Sequence, residues 1–410
     1  MIVDIAVFVI VLALLLWGGK YAGVGKFHDD FVSLDNTKSL RGYAAIGVIF
    51  HHISQEAAFQ EAGHLSIYVN MGYIFVSIFF FCSGYGLLKN FDAKPDYMKG
   101  FFKRRILPVL VPYYVSSVIY AIVRIFLFHE PMPTAKLVLG LLGLVLINDY
   151  AWFPVVITTL YLAFYFIFKK VKNRKVAFGL ILSVILFEGI FFCFWGHFPW
   201  WSGGKNWWLY TQNREWWKVD QILLFSGEWW VNSSIAFFIG MLFANNESKI
   251  TEWFKKKYWA KLIVAFILAN VFSAITMFAQ MKFGYWSEYS GKGPGIGDKL
   301  ICYASQLPQV ICVVIFVFLF MMKYHASNPI SRFFGKVSLE TYMMNLLAIT
   351  VFRVFLYGNI NTFVYQHKFE LYIVCVFALT VVLALIYKWI NKMVLKLFSR
   401  NKLDKPSGSK

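Results

Sequence analysis

One apolar stretch opens on an arginine and closes on two histidines: Leu40-Arg41-Gly42-Tyr43-Ala44-Ala45-Ile46-Gly47-Val48-Ile49-Phe50-His51-His52. A guanidinium and an imidazole are costly inside a membrane segment unless they face a cavity or a partner. On a helix that turns about 100° per residue, Arg41 and His52 share one face and lie roughly 16 Å apart along the axis. His51 lies about 100° away from that face. The spacing predicts a helix that holds an anion at one end and a general base at the other.

The composition on either side of this stretch is that of a membrane protein. Hydrophobic residues make up 59% of the 410 residues and charged residues only 15%, and the mean hydropathy is +0.59. The apolar runs approach or exceed the roughly 20 residues that a spanning helix needs. We therefore expect an all-α, polytopic transmembrane bundle of about ten or eleven helices. Residues 1–400 are predicted to form a single domain and residues 401–410 a polar, disordered tail.

The candidate membrane spans are spread evenly along the chain. They cover residues 2–18, 39–55, 67–88, 106–128, 137–168, 176–195, 226–244, 260–281, 299–322, 337–357 and 369–390. The run 137–168 is too long for one straight helix, and Asn148, Asp149 and Pro154 are expected to divide it.

The net charge of +19 comes from basic residues that cluster in the loops between these runs. The basic loops are Lys89 to Arg105, Lys169 to Lys175, Lys249 to Lys261, Lys323 to Lys336 and the segment from Lys388 onward. The positive-inside rule places such loops in the cytoplasm, with the N-terminus outside and the C-terminus inside. This pattern argues against nucleic acid as a partner. The five cysteines have no metal-site spacing, and no metal is predicted.

Two further motifs are candidates for binding a ligand. Ser83 and Gly84 end an apolar run, where small residues either free backbone donors for a ligand or allow close helix packing. Arg104 and Arg105 adjoin the next apolar run, and a forked guanidinium suits phosphate. Plain topology charge is the alternative for the basic loop as a whole.

Polar residues inside later runs are candidates for substrate binding. Tyr342 and Asn345 share a helical stripe with Ser338, where interhelical hydrogen bonding is the alternative role. Glu188, Arg124 and Arg353 are isolated charges in apolar runs, and either a site or an internal ion pair among these three residues would explain them.

A segment at 195–230 holds most of the 15 tryptophans, including Trp207 and Trp208. Aromatic residues collect at membrane interfaces. Flat indole faces also suit sugars, so a glycan-binding lip outside the membrane is the second interpretation.

Taken in order, the motifs resemble the acyltransferase 3 family of bacterial membrane acyltransferases over nearly the whole chain. They are Arg41 to His52, Phe79-Phe80-Phe81-Cys82-Ser83-Gly84-Tyr85-Gly86, Phe101-Phe102-Lys103-Arg104-Arg105 with Pro112-Tyr113, Trp152-Phe153 with Tyr161, Phe238-Ile239-Gly240-Met241-Leu242, and Gly335-Lys336-Val337-Ser338-Leu339-Glu340-Thr341-Tyr342. Many relatives have a histidine after the tyrosine of the last motif, whereas this chain has Asn345. A role assigned to that histidine therefore does not transfer to this chain.

The resemblance implies transfer of an acyl group, most often acetyl from cytoplasmic acetyl-CoA, to a hydroxyl of a cell-envelope glycan or lipid-linked glycan. It also implies a multi-pass protein of the bacterial plasma membrane, in contact with membrane lipid. Some relatives carry a fused extracytoplasmic hydrolase-like domain, and we expect this chain to be the stand-alone form. Neither the identity of the acceptor nor the oligomeric state follows from the sequence.

The expected mechanism uses His52 as the general base or an acyl-carrying nucleophile, since its ordinary pKa suits proton transfer near neutrality. Arg41, Arg104 and Arg105 would meet the phosphates of the acyl-CoA, and Ser83 or the backbone near Gly84 would stabilise the oxyanion. His51 is a secondary catalytic candidate. A transporter or flippase for an envelope precursor remains the alternative from another class, and another histidine-based membrane transferase architecture is a third.

Overall fold

Helices account for almost all of the regular structure in the computed structural model, which describes residues 2–130, 132–195, 233–283, 296–357 and 368–400. The first eight helices are α1 (Ile2–Leu16), α2 (Leu34–Ser54), α3 (Ala57–Glu61), α4 (Gly72–Ala93), α5 (Leu107–Phe126), α6 (Thr134–Leu141), α7 (Trp152–Lys170) and α8 (Arg174–Trp195). The others are α9 (Ile235–Asn245), α10 (Glu247–Lys255), α11 (Tyr258–Phe283), α12 (Ile296–Lys323), α13 (Pro329–Lys336), α14 (Ser338–Phe352), α15 (Val354–Tyr357) and α16 (Phe369–Arg400). A 3₁₀ turn (Ser66–Tyr68) precedes α4, and a π-helical turn (Phe102–Ile106) runs into α5.

Seven of the described helices are long and apolar enough to cross a membrane, which confirms the predicted polytopic helical bundle. The seven segments are Gly72–Ala93, Phe102–Phe126, Trp152–Lys170, Tyr258–Phe283, Gly297–Lys323, Ser338–Tyr357 and Phe369–Phe398. The long run 137–168 is divided where Asn148 and Asp149 predicted a break, because α6 ends at Leu141 and α7 begins only at Trp152. Pro154 lies in the first turn of α7, where its missing N–H costs nothing.

The basic loops meet at one end of the bundle. Arg174 forms a bidentate pair with Asp92 at 2.9 and 2.7 Å, and Lys89 pairs with Glu247 at 2.9 Å. Lys388, near the end of the chain, donates to the carbonyl of Lys336. We call this the basic end. The His52 end lies opposite, where α2 finishes, and Asp4 of α1 accepts there from the backbone N–H of Leu65 at 2.8 Å.

Glycines let pairs of helices approach closely. A Cβ on Gly84 of α4 would lie 2.0 Å from the carbonyl oxygen of Phe237 in α9, and a Cβ on Gly240 would lie 2.2 Å from that of Phe81. The same arrangement joins α2 to α13, because Gly42 faces the carbonyl oxygen of Ser331 and Gly335 faces that of Lys38. These contacts place α2, with its arginine and histidines, against the centre of the bundle.

A short antiparallel ladder, which the sequence did not predict, joins the N-terminal region to the far part of the chain. Strand β1 (Lys20–Tyr21) pairs with β2 (Tyr324–His325), with Lys20 opposite His325. The N–H of Ala22 extends the contact by donating to the carbonyl of Lys323 at 2.9 Å. The ladder thereby connects the loop after α1 to the end of α12.

Candidate active site

His52 lies in the last turn of α2 and is only 5% exposed. Its Nδ1 is 3.0 Å from the amide Nδ2 of Asn345 on α14. The ring of Tyr150 stacks on the imidazole, with centroids 3.7 Å apart and planes 17° apart. A buried imidazole held by an amide and an aromatic face has one fixed orientation, which is what a proton-transfer group requires.

The amide of Asn345 allows two neutral tautomers of the imidazole. In the orientation described, Nδ2 donates to Nδ1 of His52, and the amide Oδ1 is buried without a hydrogen-bond partner in the described part of the chain. Turning the amide over lets Oδ1 accept a hydrogen bond from Nδ1–H and leaves Nε2 with a free lone pair. In the second state the amide oxygen is hydrogen-bonded, the amide NH2 takes the position without a described partner, and Nε2 is the basic atom.

Tyr150 is held in place by the turn that separates α6 from α7. Asn148, which is fully buried, donates from Nδ2 to Ser116 Oγ at 3.0 Å and to the carbonyl of Met343 at 2.9 Å. Its Oδ1 accepts from the N–H of Tyr150 at 3.1 Å. Asn148 thus attaches the turn that contains Tyr150 to α14, the helix that contains Asn345.

His51 has different surroundings from His52. Its Nδ1 donates to the carbonyl oxygen of Tyr68 at 2.8 Å, before the start of α4. The other side of the ring lies over Gly72, where any added Cβ would be 2.3 Å from Nε2. His51 therefore joins α2 to the turn before α4, and its partners indicate a structural contribution.

An ion pair lies next to the end of α2. Arg353 donates from both Nε and Nη2 to the carboxylate of Glu56, with the shortest contact 2.8 Å, and the hydroxyl of Tyr357 donates to the same carboxylate at 3.2 Å. Glu56 is 7% exposed. Arg124 likewise pairs with Asp149 at 2.7 Å. Both arginines are therefore ion-paired, but with Asp149 and Glu56. Among the described residues neither pairs with Glu188, so the pairing among the three charges that the sequence offered as an alternative is not the one observed.

Arg41 lies on α2 toward the basic end and is half-buried. Its Nε donates to the carbonyl of Thr37 at 3.4 Å, and the guanidinium is within electrostatic range of Cys82 on α4. No carboxylate in the described segments forms an ion pair with it. This arginine is thus a cation whose charge the described residues leave available for an anion.

Arg104 and Arg105 pack onto the loop before them. Arg104 donates from Nη2 to the carbonyls of Tyr97 and Lys99. Arg105 donates from Nε to the Tyr97 hydroxyl at 2.6 Å and from Nη2 to the carbonyl of Gly86 at 3.4 Å. Gly86 lies one turn of α4 beyond Cys82, so Arg105 and Arg41 approach the same stretch of that helix. Both loop arginines also hold the loop together, a contribution that the sequence did not predict.

The remaining predicted site residues are dispersed. The ring of Tyr342 lies 6.3 Å from that of His52 and therefore belongs to this neighbourhood. Gly84 faces α9, so helix packing accounts for it, and the neighbouring Ser83 is half-buried. Glu188 on α8 lies beside Thr159 of α7. Trp207 and Trp208 lie outside the described residues.

Sequence reasoning missed Tyr150 and Asn148 as parts of the site. The available signal is the polar group Asn148-Asp149-Tyr150 between two apolar runs, which by itself predicts only a helix break. A polar turn at membrane depth is tolerated only where protein buries it. The same group could therefore have been read as a contact to another polar residue.

A comparison with protein families gives one match: a family model described as an acyltransferase domain covers residues 34–389. No curated protein and no solved structure matches the chain significantly. The matched region begins at the first residue of α2 and ends within α16, so it contains both His52 and Arg41.

Proposed function

Because the chain belongs to the acyltransferase 3 family, we propose that this membrane acyltransferase moves an acyl group from cytoplasmic acyl-CoA to a hydroxyl of a cell-envelope glycan. Acetyl is the expected acyl group, and the bacterial plasma membrane is the expected location. The observation that carries the proposal is the environment of His52. Its buried imidazole is fixed by Asn345 and Tyr150, and His52 lies on the same helix as Arg41.

In the proposed reaction, Arg41 toward the start of α2 binds the acyl donor, and His52 near the end of α2 takes the proton of the acceptor. Arg41 is separated from His52 by roughly 16 Å along the helix, and Arg105 approaches the α4 segment next to Arg41. In our proposal these arginines bind the CoA phosphates at the basic end, with Arg104 at the rim of the same loop. The pantetheine arm then brings the thioester along α2 toward His52.

The proposed chemical step is a direct transfer. The acceptor hydroxyl oxygen attacks the thioester carbonyl carbon while His52 Nε2 takes the hydroxyl proton. The C–S bond then breaks, and the CoA thiolate receives that proton from the imidazole, giving the ester and free CoA. Asn345, with its amide oxygen accepting from Nδ1–H, keeps the imidazole in the state that can accept the proton.

The acceptor is expected at the His52 end. Tyr342 lies close to His52, and Trp207 and Trp208 remain predicted contacts for a sugar ring. A lipid-linked or polymeric glycan fits this arrangement, because its reacting hydroxyl has to reach only the outer half of the bundle. The donor and the acceptor then meet without either crossing the membrane whole.

The experiment that tests this function measures CoA release from acetyl-CoA by purified protein in detergent. We expect wild-type protein to release CoA and His52→Gln to release none, although its elution profile and melting temperature match the wild type. His129→Gln makes the same change at an exposed histidine that is not among the described contacts of His52. It is the matched control and should keep full activity. Equal activity of His52→Gln and wild type would refute the mechanism.

A second measurement identifies the acceptor. Envelope glycans from cells with and without the protein are compared by mass spectrometry, and an added acyl mass is expected only when the protein is active. If the purified protein releases no CoA and the glycans are unchanged, while an envelope precursor still moves across the membrane, the transporter alternative would replace this proposal.

A further inference from the structure

Three side chains with metal-binding atoms meet at the basic end, outside the candidate active site. They are His28, Asp30 and His325, and one ligand atom from each lies within 4.8 Å of the others. The two imidazoles stack with centroids 3.6 Å apart, and His325 Nε2 is 3.8 Å from Asp30 Oδ1. Two imidazoles and one carboxylate form a ligand set typical of divalent transition metals.

The hydrogen bonds around His28 leave its second nitrogen suited to a metal. Its Nε2 lies 3.0 Å from the carbonyl oxygen of Lys20, and since a carbonyl can only accept, Nε2 carries the hydrogen. Nδ1 therefore keeps its lone pair. Metal-binding histidines commonly have their other N–H held by a backbone carbonyl in this way.

Asp30 is oriented by a buried amide. Asn36 is 8% exposed, and its Nδ2 donates to the carbonyl of Asp30 at 2.8 Å and to its Oδ2 at 3.2 Å. Oδ1, the atom nearer to His325, is thereby left to face the imidazole. The carboxylate is itself 68% exposed, so it can move the short distance that coordination requires.

The backbone holds the two histidines together independently of any ion. Lys20 is paired with His325 in the β1–β2 ladder, and the N–H of His28 donates to the carbonyl of Met322 at 2.9 Å. Lys323 Nζ donates to the carbonyl of Gly23 at 2.9 Å. The loop between α1 and α2 is thus fastened along the end of α12, with the three ligands at its far side.

We propose that His28, Asp30 and His325 bind one divalent transition-metal ion of the zinc class, with water in the remaining position. Ligand distances of about 2.0–2.2 Å require the Asp30 carboxylate to move and the two stacked imidazoles to turn toward a common point. His325 Nε2, which lies 3.5 Å from Asn36 Nδ2, would exchange that contact for the ion. The ion would join the loop that leads into α2 to the end of α12. The bound ion would therefore stabilise the start of α2, the helix that contains Arg41. It would take no part in the acyl transfer itself.

The test is a zinc titration of full-length, untagged protein that has been treated with a chelator and then freed of it. We expect calorimetry to give one site per chain, and saturating zinc to raise the melting temperature because it binds only the folded form. Magnesium, which prefers oxygen ligands, should produce neither effect.

The variants decide whether the ion binds at the proposed residues. His28→Asn and Asp30→Asn should each weaken zinc binding at least tenfold and abolish the zinc-dependent rise in melting temperature. His129→Asn makes the same change at an exposed histidine outside the cluster and should bind as the wild type does. A wild type that binds no zinc, or a His28→Asn variant that binds it unchanged, would overturn the proposal.

Discussion

His51 and His52 are adjacent in the chain, yet their imidazoles have different partners. The imidazole of His51 is hydrogen-bonded to a backbone carbonyl, whereas that of His52 is hydrogen-bonded to a side-chain amide that can rotate by 180°. A ring bonded to a carbonyl has a fixed tautomer, because a carbonyl can only accept. A ring bonded to an amide can exchange its donor and acceptor positions, which suits a group that gains and loses a proton.

Replacement of His51 should affect stability more than chemistry. His51→Ala removes the hydrogen bond to Tyr68 and leaves that carbonyl without its partner, at a cost of about 1–3 kcal/mol. We expect a lower melting temperature and a turnover within a few-fold of wild type at a temperature where the variant is folded. Comparison of thermal unfolding with CoA release checks this. Loss of turnover in a fully folded His51→Ala protein would assign the base to His51.

Asn345 can be tested through the direction of its hydrogen bond. Asn345→Asp keeps an oxygen that accepts from His52 Nδ1–H and should retain transfer, whereas Asn345→Leu removes the bond. For the leucine variant we expect kcat to fall roughly tenfold to a hundredfold, the equivalent of about 1–3 kcal/mol, with the KM for acyl-CoA unchanged. Inactivity of the aspartate variant with full activity of the leucine variant would contradict the proposed orientation.

At the scale of whole helices, close backbone contacts at glycines set the positions of the elements. α4 contacts α9 through Gly84 and Gly240, and α2 contacts α13 through Gly42 and Gly335. In a membrane, where lipid is as apolar as a leucine side chain, small residues at a helix interface allow the packing that drives association. The packing of α4 and α2 therefore depends on residues that have no side chain beyond hydrogen.

Two glycines on α4 offer a matched comparison. A Cβ at position 84 would meet the carbonyl oxygen of Phe237 at 2.0 Å, whereas nothing lies within 4 Å of a Cβ at position 86. Gly84→Ala should therefore destabilise the protein by about 1–3 kcal/mol through overpacking. Gly86→Ala should be neutral or slightly stabilising, because alanine favours the helix. Thermal unfolding of both variants in detergent checks this, and equal melting temperatures would argue against the close contact.

The sequence predicted the helices better than it predicted their contacts. Seven of the eleven predicted runs overlap a described helix that is long and apolar enough to span a membrane, whereas the described helices in the runs 2–18, 39–55, 176–195 and 226–244 are not among these seven. Asn148 and Asp149 located the break between α6 and α7. The stacking of Tyr150 on His52 depends on how α2 and α7 pack, which no local pattern encodes. For the same reason the sequence does not predict the cluster of His28, Asp30 and His325, because His325 is distant in the chain from the other two residues.

At the scale of the whole molecule, the two ends of the bundle differ in charge and in chemistry. The basic end collects the lysine- and arginine-rich loops together with Arg41, and the opposite end holds His52 and Tyr150. The start of α1 lies at the His52 end, and Lys388 of α16 lies at the basic end. The positive-inside rule predicts that the basic end faces the cytoplasm.

This orientation predicts opposite labelling of two exposed positions. Gln60→Cys at the His52 end should react with a membrane-impermeant thiol reagent in intact cells, whereas Lys99→Cys at the basic end should react only after the membrane is opened. Both side chains are exposed. The parent protein, whose described cysteines are buried or half-buried, gives the background. The reverse pattern would place His52 on the cytoplasmic side and remove the basis for transfer to an outer acceptor.

The β1–β2 ladder also has a consequence for biosynthesis. Tyr21 leaves the ribosome early, but its partner Tyr324 is made roughly 300 residues later, which takes on the order of 15 to 60 s at typical translation rates. During that interval the backbone donors and acceptors of Lys20 and Tyr21 have no strand to pair with. The loop before α2 therefore reaches its final position only after most of the helices have been inserted, so that its docking is a late event in assembly.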